Sequence, residues 1–187
     1  TTYRLEDPFM VLATQNSIEQ DGTHDLPESQ LDRFMLKVNI TYPSRAQEHQ
    51  IMRSHGLTQK NIQVKSIIDP AHILQLRQII DQIHIEEKVE NYILDIVEAT
   101  RDPRRFKLTD LNDMIRFGGS PRATINLLLA GKAYAFLQGR SYVTSADVKA
   151  IGVDVLQHRI ILSHQAESKG LDPISCVQKI LSHIPMP

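Results

Sequence analysis

The sequence has no excess charge of either sign. Its 21 Lys and Arg stand against 22 Asp and Glu, for a formal net charge of -1 and a pI near 6.7. Acids and bases are interspersed, so no field favours a nucleic-acid backbone or an anionic membrane. Nucleic acid is not an expected partner. Cysteine is nearly absent: Cys176 stands alone and cannot form an internal disulfide. That suits a reducing compartment, and the cytoplasm is the expected location. No apolar run approaches the ~20 residues of a membrane span, so no membrane insertion is expected. The eight histidines are scattered, with no HExxH and no Cys/His pairing at zinc spacing, so no metal site is expected. Two further absences matter most. There is no GxxxxGK[ST] loop to cradle phosphates, and no hydrophobic strand ending in paired acids to hold Mg²⁺.

What is present begins with Pro8 to Thr14 (PFMVLAT), a short apolar run of the kind a parallel sheet covers on both faces. In DLPESQLDR, Asp25 is a candidate cap of a short helix, and Glu28 completes a capping-box pattern. Then Phe34, Leu36, Val38 and Ile40 alternate, which predicts a second strand. Strand, helix, strand implies a right-handed parallel crossover. Two parallel strands do not make a stable sheet alone, so the rest of the sheet is expected upstream, and Thr1 is not the expected native start.

From Tyr42 the pattern turns helical. Pro43 to Ser54 reads as a helix stopped at Gly56, and Leu57 to Lys65 as a polar linker. Pro70 to Ile83 and Ile85 to Arg101 carry apolar residues at helical spacing, including Ile73, Leu76, Ile79, Ile80 and Ile83. Pro121 to Leu137 has apolar residues all round and reads as the buried central helix, with Ser120 as cap and Pro121 as first residue. Gly139 closes it. Thr144 with Asp147 opens another helix running to about Gln157 or His158, and a last short helix is expected near Asp172 to His183.

Three polar positions are candidates for chemistry. Gln15 and Asn16 lie just past the C-terminal end of the first strand, where open parallel sheets bind ligands; an Asn there also forms turns. Arg33 ends the short helix, and a guanidinium forks onto phosphate oxygens. It can equally answer the helix dipole or pair with Asp32. In GGSPR, Arg122 falls in the first turn of a helix, where a cation is misplaced unless an anion is shared. His158 and Arg159 follow the penultimate long helix and are explained as helix C-terminal cations, with nucleotide contact the alternative. TRDPRRF reads as a solvated basic turn rather than a docking site, and Tyr134 and Phe136 as core.

PFMVLATQNSIEQDGTHDLPESQLDRF resembles, nearly end to end, the segment of MoxR-type AAA+ ATPases from the sensor 1 strand to the arginine finger. GGSPRATINLLLAGKAYAFLQGRSYVTSADV with VLQHRI is similar to the sensor 2 helix and lid of that family. The resemblance runs from about Pro8 to about Ile160, with motif order and spacing matching. Two departures are visible. Ser17 stands where the family usually has Pro after the sensor Asn, and Arg101 to Arg116 is longer than in the shortest members, which implies an extended surface loop.

The resemblance implies a mostly α chain: the end of an α/β AAA+ core with two parallel strands (1–56), a linker (57–66), and an all-helical lid carrying sensor 2 (67–187). It implies that Asn16 polarises the attacking water as sensor 1. Arg33 would be the arginine finger, reaching the γ-phosphate held by a neighbouring subunit, and Arg122 would be sensor 2. Asn16 and Arg122 would also bind the cofactor, ATP with Mg²⁺, both held mainly by the missing upstream region. The implied activity is ATP hydrolysis in a ring of copies, hexameric when full length, which remodels or matures a client protein complex. Metal insertion and a von Willebrand factor A domain partner belong to that picture, and this chain alone is expected to be inactive. A non-catalytic helical adaptor and a magnesium chelatase ATPase subunit are the alternatives.

Overall fold

The computed structural model describes residues 2–15, 26–56 and 64–187. It is mostly helical. Helix α1 (Glu28–Leu31) and α2 (Arg45–His55) precede α3 (Pro70–Asp81) and α4 (Glu87–Arg101). Two 3₁₀ turns follow, Pro103–Phe106 and Thr109–Leu111, and then β1 (Ile115–Phe117), α5 (Pro121–Leu137), α6 (Ser145–Leu156), β2 (Ile161–Leu162), α7 (His164–Ser168) and α8 (Pro173–His183). β1 and β2 form a two-stranded antiparallel sheet.

Capping explains most boundaries. Ser44 and Gln47 satisfy each other's backbone N–H at the start of α2, and Thr144 and Asp147 do the same for α6. The carboxylates of Asp69 and Asp172 accept from the third residue beyond them, and Pro occupies the first turn of α3, α5 and α8. α1 differs from expectation. Its N-cap position is Pro27, no side chain caps it, and Glu28 is its first residue. Proline disfavours the α conformation in the residue before it, so Leu26 cannot open the helix. Asp25 lies outside the described residues.

The core is built from one face each of α4, α5, α6 and α8. Ile93, Ile96 and Val97 of α4 meet Leu127 of α5, Val148 and Val155 of α6, and Val177 and Ile180 of α8. α4 is the most deeply set helix. α5 is less central than its composition suggests, because Ile125, Leu129 and Leu137 face outward; apolar residues all round a helix do not by themselves bury it. Tyr134 and Phe136 are half-buried. The segment after α4 is no simple surface loop: it buries Leu108, between its two 3₁₀ turns, and Leu111, in the second. Its arginines point out and pair, Arg104 with Asp113 at 3.0 Å and Arg105 with Glu98.

The segments expected as parallel strands, 8–14 and 34–40, are non-helical, and no ladder pairs them among the described residues. Met10, Leu12, Val38 and Ile40 are exposed. A strand made to be covered on both faces has nothing here to pair with. The second of these segments lies against the helical unit, where the Lys37 N–H donates to the Asp154 carbonyl at 2.8 Å.

Candidate functional site

The turn before α5 is set by close packing. Gly118 lies so near α4 that a Cβ there would sit 2.4 Å from the Thr100 carbonyl oxygen. The buried Thr100 hydroxyl accepts from the Gly119 N–H at 2.9 Å and donates to the Val97 carbonyl at 2.6 Å. Arg101 Nε donates to the Gly119 carbonyl at 2.7 Å. These contacts fix the Ser120 cap and, with it, the first turn of α5.

Arg122 is in that turn, where the helix dipole opposes it. The anion it requires is supplied by Asp32. Arg122 Nη1 is 3.2 Å from Asp32 Oδ2, and the Ser120 hydroxyl donates to both carboxylate oxygens at 3.0 and 2.9 Å. On the other side Arg159 Nε reaches Asp32 Oδ1 at 3.2 Å. Burial raises the Asp32 pKa, but the Ser120 hydroxyl, Arg122 and Arg159 outweigh it and hold the carboxyl below its ordinary value. One ionised Asp therefore ties α1 to α5 and to the end of α6.

The Arg159 side chain is wholly buried, at 0% exposure. Besides Asp32 it donates to the carbonyls of Asp32, Phe34 and Met35, and to that of Val155 inside α6. The dipole reading from sequence is thus half of the matter: Arg159 does answer the Val155 carbonyl in the last turn of α6, and it also binds a segment 127 positions away. His158 Nε2 lies 3.1 Å from the Phe34 carbonyl. Burial, with Arg159 and Lys37 adding to it, pushes its pKa down to about 4, so the ring is neutral at pH 7.

Of the residues singled out by sequence, the structure brings Arg33 and Arg122 together. Both line an open groove of about 840 Å³, with Phe9, Val11, Ser29, Gln30, Phe34 and Met35. Arg122 is about half exposed, and Arg33 is exposed with no side-chain ion pair or hydrogen bond among the described residues. Two guanidiniums on one groove suit an anion with several oxygens. Among the described residues no carboxylate lines it, and the two guanidiniums fit phosphate. Asn16 lies outside the described residues, and so does Ser17. Sequence reasoning missed Asp32 as the shared anion and Arg159 as its buried partner. The only signal was that Arg122 needed an anion from somewhere.

The chain is similar to known proteins along its whole length. The family model for the ATPase family associated with various cellular activities (AAA) matches residues 1–36, and the AAA lid domain model matches residues 107–180. Chaperone MoxR1 of Mycobacterium tuberculosis is 34% identical over 186 residues, a match that takes in 100% of this chain and 49% of that protein. YeaC of Bacillus subtilis is 32% identical, covering 100% of this chain and 55% of that protein. The chain thus spans about half the length of these curated relatives. The crystal structure of a candidate ATPase from Cytophaga hutchinsonii superposes with a TM-score of 0.93 at 41% identity, over 100% of this chain and 57% of that one. The Asp32 junction joins the end of the segment matched by the AAA model to the opening of α5 within the lid match, and over its whole length the chain is similar to the MoxR-type AAA+ ATPases.

Proposed function

We propose that this chain is the C-terminal part of an ATP-hydrolysing ring motor. In that motor Arg33 acts as arginine finger, Arg122 as sensor 2 and Asn16 as sensor 1. The observation that carries the reading is the shared groove: Arg33 and Arg122, far apart in sequence, line one open surface with no carboxylate among its described lining residues. Phosphoryl transfer spreads negative charge over several oxygens, and a guanidinium that meets that charge contributes ~10³ to 10⁵ in rate. Arg33 has no competing partner among the described residues, so it is available to a phosphate presented by a neighbouring copy. Arg122 must leave or share Asp32 to reach one. ATP supplies the transferable phosphoryl group, and Mg²⁺ belongs to the residues upstream that hold the nucleotide. The residues described here contribute charge stabilisation and orientation.

On this reading 1–56 completes the nucleotide-binding core, 57–66 links it to the lid, and 67–187 is the lid. Support comes from the packing: Lys132 of α5 donates to the Asp81 carbonyl at the end of α3 at 3.0 Å, a contact in keeping with α3 as part of the lid. Work on a client protein complex follows from the family and from the relative named as a chaperone. Maturation or metal insertion, with a von Willebrand factor A domain partner, is its most specific form.

The test is ATP hydrolysis and nucleotide binding by the full-length protein and its Arg33→Ala and Arg122→Ala variants. The reading requires kcat to fall at least a hundredfold for Arg33→Ala with nucleotide still bound. Full-length protein that binds no nucleotide would support the adaptor alternative instead.

A further inference from the structure

The finger proposed above is carried by a segment that cannot hold itself in place. α1 has four residues, no buried side chain and no side-chain cap, and a single helical turn is not stable on its own. What fixes the backbone around Arg33 comes from the lid. Arg159 grips it on both sides: the carbonyl of Asp32 before it at 3.1 Å, and those of Phe34 and Met35 after it at 2.5 and 3.2 Å. The neighbouring residues extend the grip. Gln157 Nε2 donates to the Lys37 carbonyl at 2.6 Å, Asn39 Nδ2 donates to Gln157 Oε1 at 3.0 Å, and His158 Nε2 meets the Phe34 carbonyl. One short stretch after α6, Gln157-His158-Arg159, therefore binds 32–39 chiefly through main-chain groups, with the Asp32 carboxylate and the Asn39 amide as the side-chain contacts.

We infer that Arg159 is a positioning residue for Arg33, through which the lid of each chain sets where its own finger stands. The inference rests on the ring-motor reading. It also explains why a guanidinium is buried at this point: its several donors in a fixed fork bond four carbonyls and a carboxylate at once, which an ammonium cannot do in the same geometry. Asp32 is also the partner of Arg122, so one carboxylate next to Arg33 connects the finger segment to α5 and to the end of α6. Misplacing a reacting group by about 1 Å costs on the order of a hundredfold in rate.

The experiment uses full-length protein with Arg159→Met, which keeps the aliphatic volume and removes every donor, and Arg159→Lys, which keeps the charge. Each is mixed with wild-type subunits alongside an Arg33→Ala control, and ATP turnover and hydrogen exchange are followed. The expected result is that Arg159→Met subunits lower kcat at wild-type neighbours by about tenfold to a hundredfold. KM should stay within about twofold, and amides of 34–39 should exchange faster while those of α4 and α8 do not. Arg159→Lys should fall between, and it carries the test if Arg159→Met does not fold. If Arg33→Ala silences neighbours but every folded Arg159 variant leaves them at full rate, the positioning role is wrong and the finger stands. If Arg33→Ala leaves neighbours unaffected, the finger reading itself fails, and this inference with it.

Discussion

Gly118→Ala tests the packing that sets the first turn of α5. The added methyl would stand 2.4 Å from the Thr100 carbonyl oxygen, 2.5 Å from its carbon and 2.7 Å from its hydroxyl. Two of the three atoms are helix backbone that no rotamer change can move. Relief requires α4 and the glycine turn to separate by more than half an ångström, and Thr100 is fully buried with its hydroxyl already committed. Overpacking of this kind costs about 1 to 3 kcal/mol, and the lost Gly119 N–H bond adds roughly 1. We expect a loss of about 2 to 4 kcal/mol in urea unfolding. Gly139→Ala is the control. Nothing lies within 4 Å of its Cβ position, so only the positive φ of +72° opposes the substitution, at a cost of about 1 kcal/mol. Gly118 has no positive φ, so sterics alone distinguish it. Equal losses at the two positions, or a Gly118→Ala protein within 0.5 kcal/mol of wild type, would refute the argument; ~0.5 is the ordinary scatter of neutral substitutions.

Asp147→Ala should cost about 2 to 3 kcal/mol, measured by thermal unfolding. The nearly buried carboxylate caps α6 and takes two bonds from Arg140 at 2.7 and 2.5 Å, but Arg140 is 27% exposed and loses less than a fully buried partner would. His158 predicts acid sensitivity. Its folded pKa of about 4 lies below the ordinary 6.5, so the native ring refuses a proton that the unfolded chain accepts, and its stabilisation, present above 6.5, is lost as pH falls from there toward 4. The slope approaches at most about 1.4 kcal/mol per pH unit. Urea midpoints at pH 7.5 and 5 should therefore differ less for His158→Gln than for wild type. Cys176 is wholly buried, and burial, its largest cause, pushes its pKa up to about 11. It should resist a thiol reagent at pH 8 until denaturant is added, and immediate labelling would contradict its placement.

Much of the lid was legible from sequence because its boundaries are local chemistry. Ser120, Thr144 and Asp172 cap the helices they were expected to open, and α5 runs from Pro121 to Leu137 as its Pro and Gly139 imply. Burial was less legible. An apolar residue such as Ile125 or Leu137 shows no sign of which neighbour will cover it, and both face outward. The site divides along the same line. Arg33 and Arg122 were found through their motifs, but Asp32 and Arg159 look like any acid after a short helix and any base after a long one. Only the fold brings them to 3.2 Å. Long-range ion pairs leave no periodicity in a sequence, whereas caps and turns do.

The central claim is that Arg33 acts on a neighbour's nucleotide. Its most direct test titrates Arg33→Ala subunits into wild-type subunits of the full-length protein and follows ATP hydrolysis per wild-type site. The account predicts that turnover per wild-type site falls as mutant neighbours accumulate, because each removes the cation that its neighbour's phosphate requires. A rate per wild-type site that stays constant across the titration would contradict it.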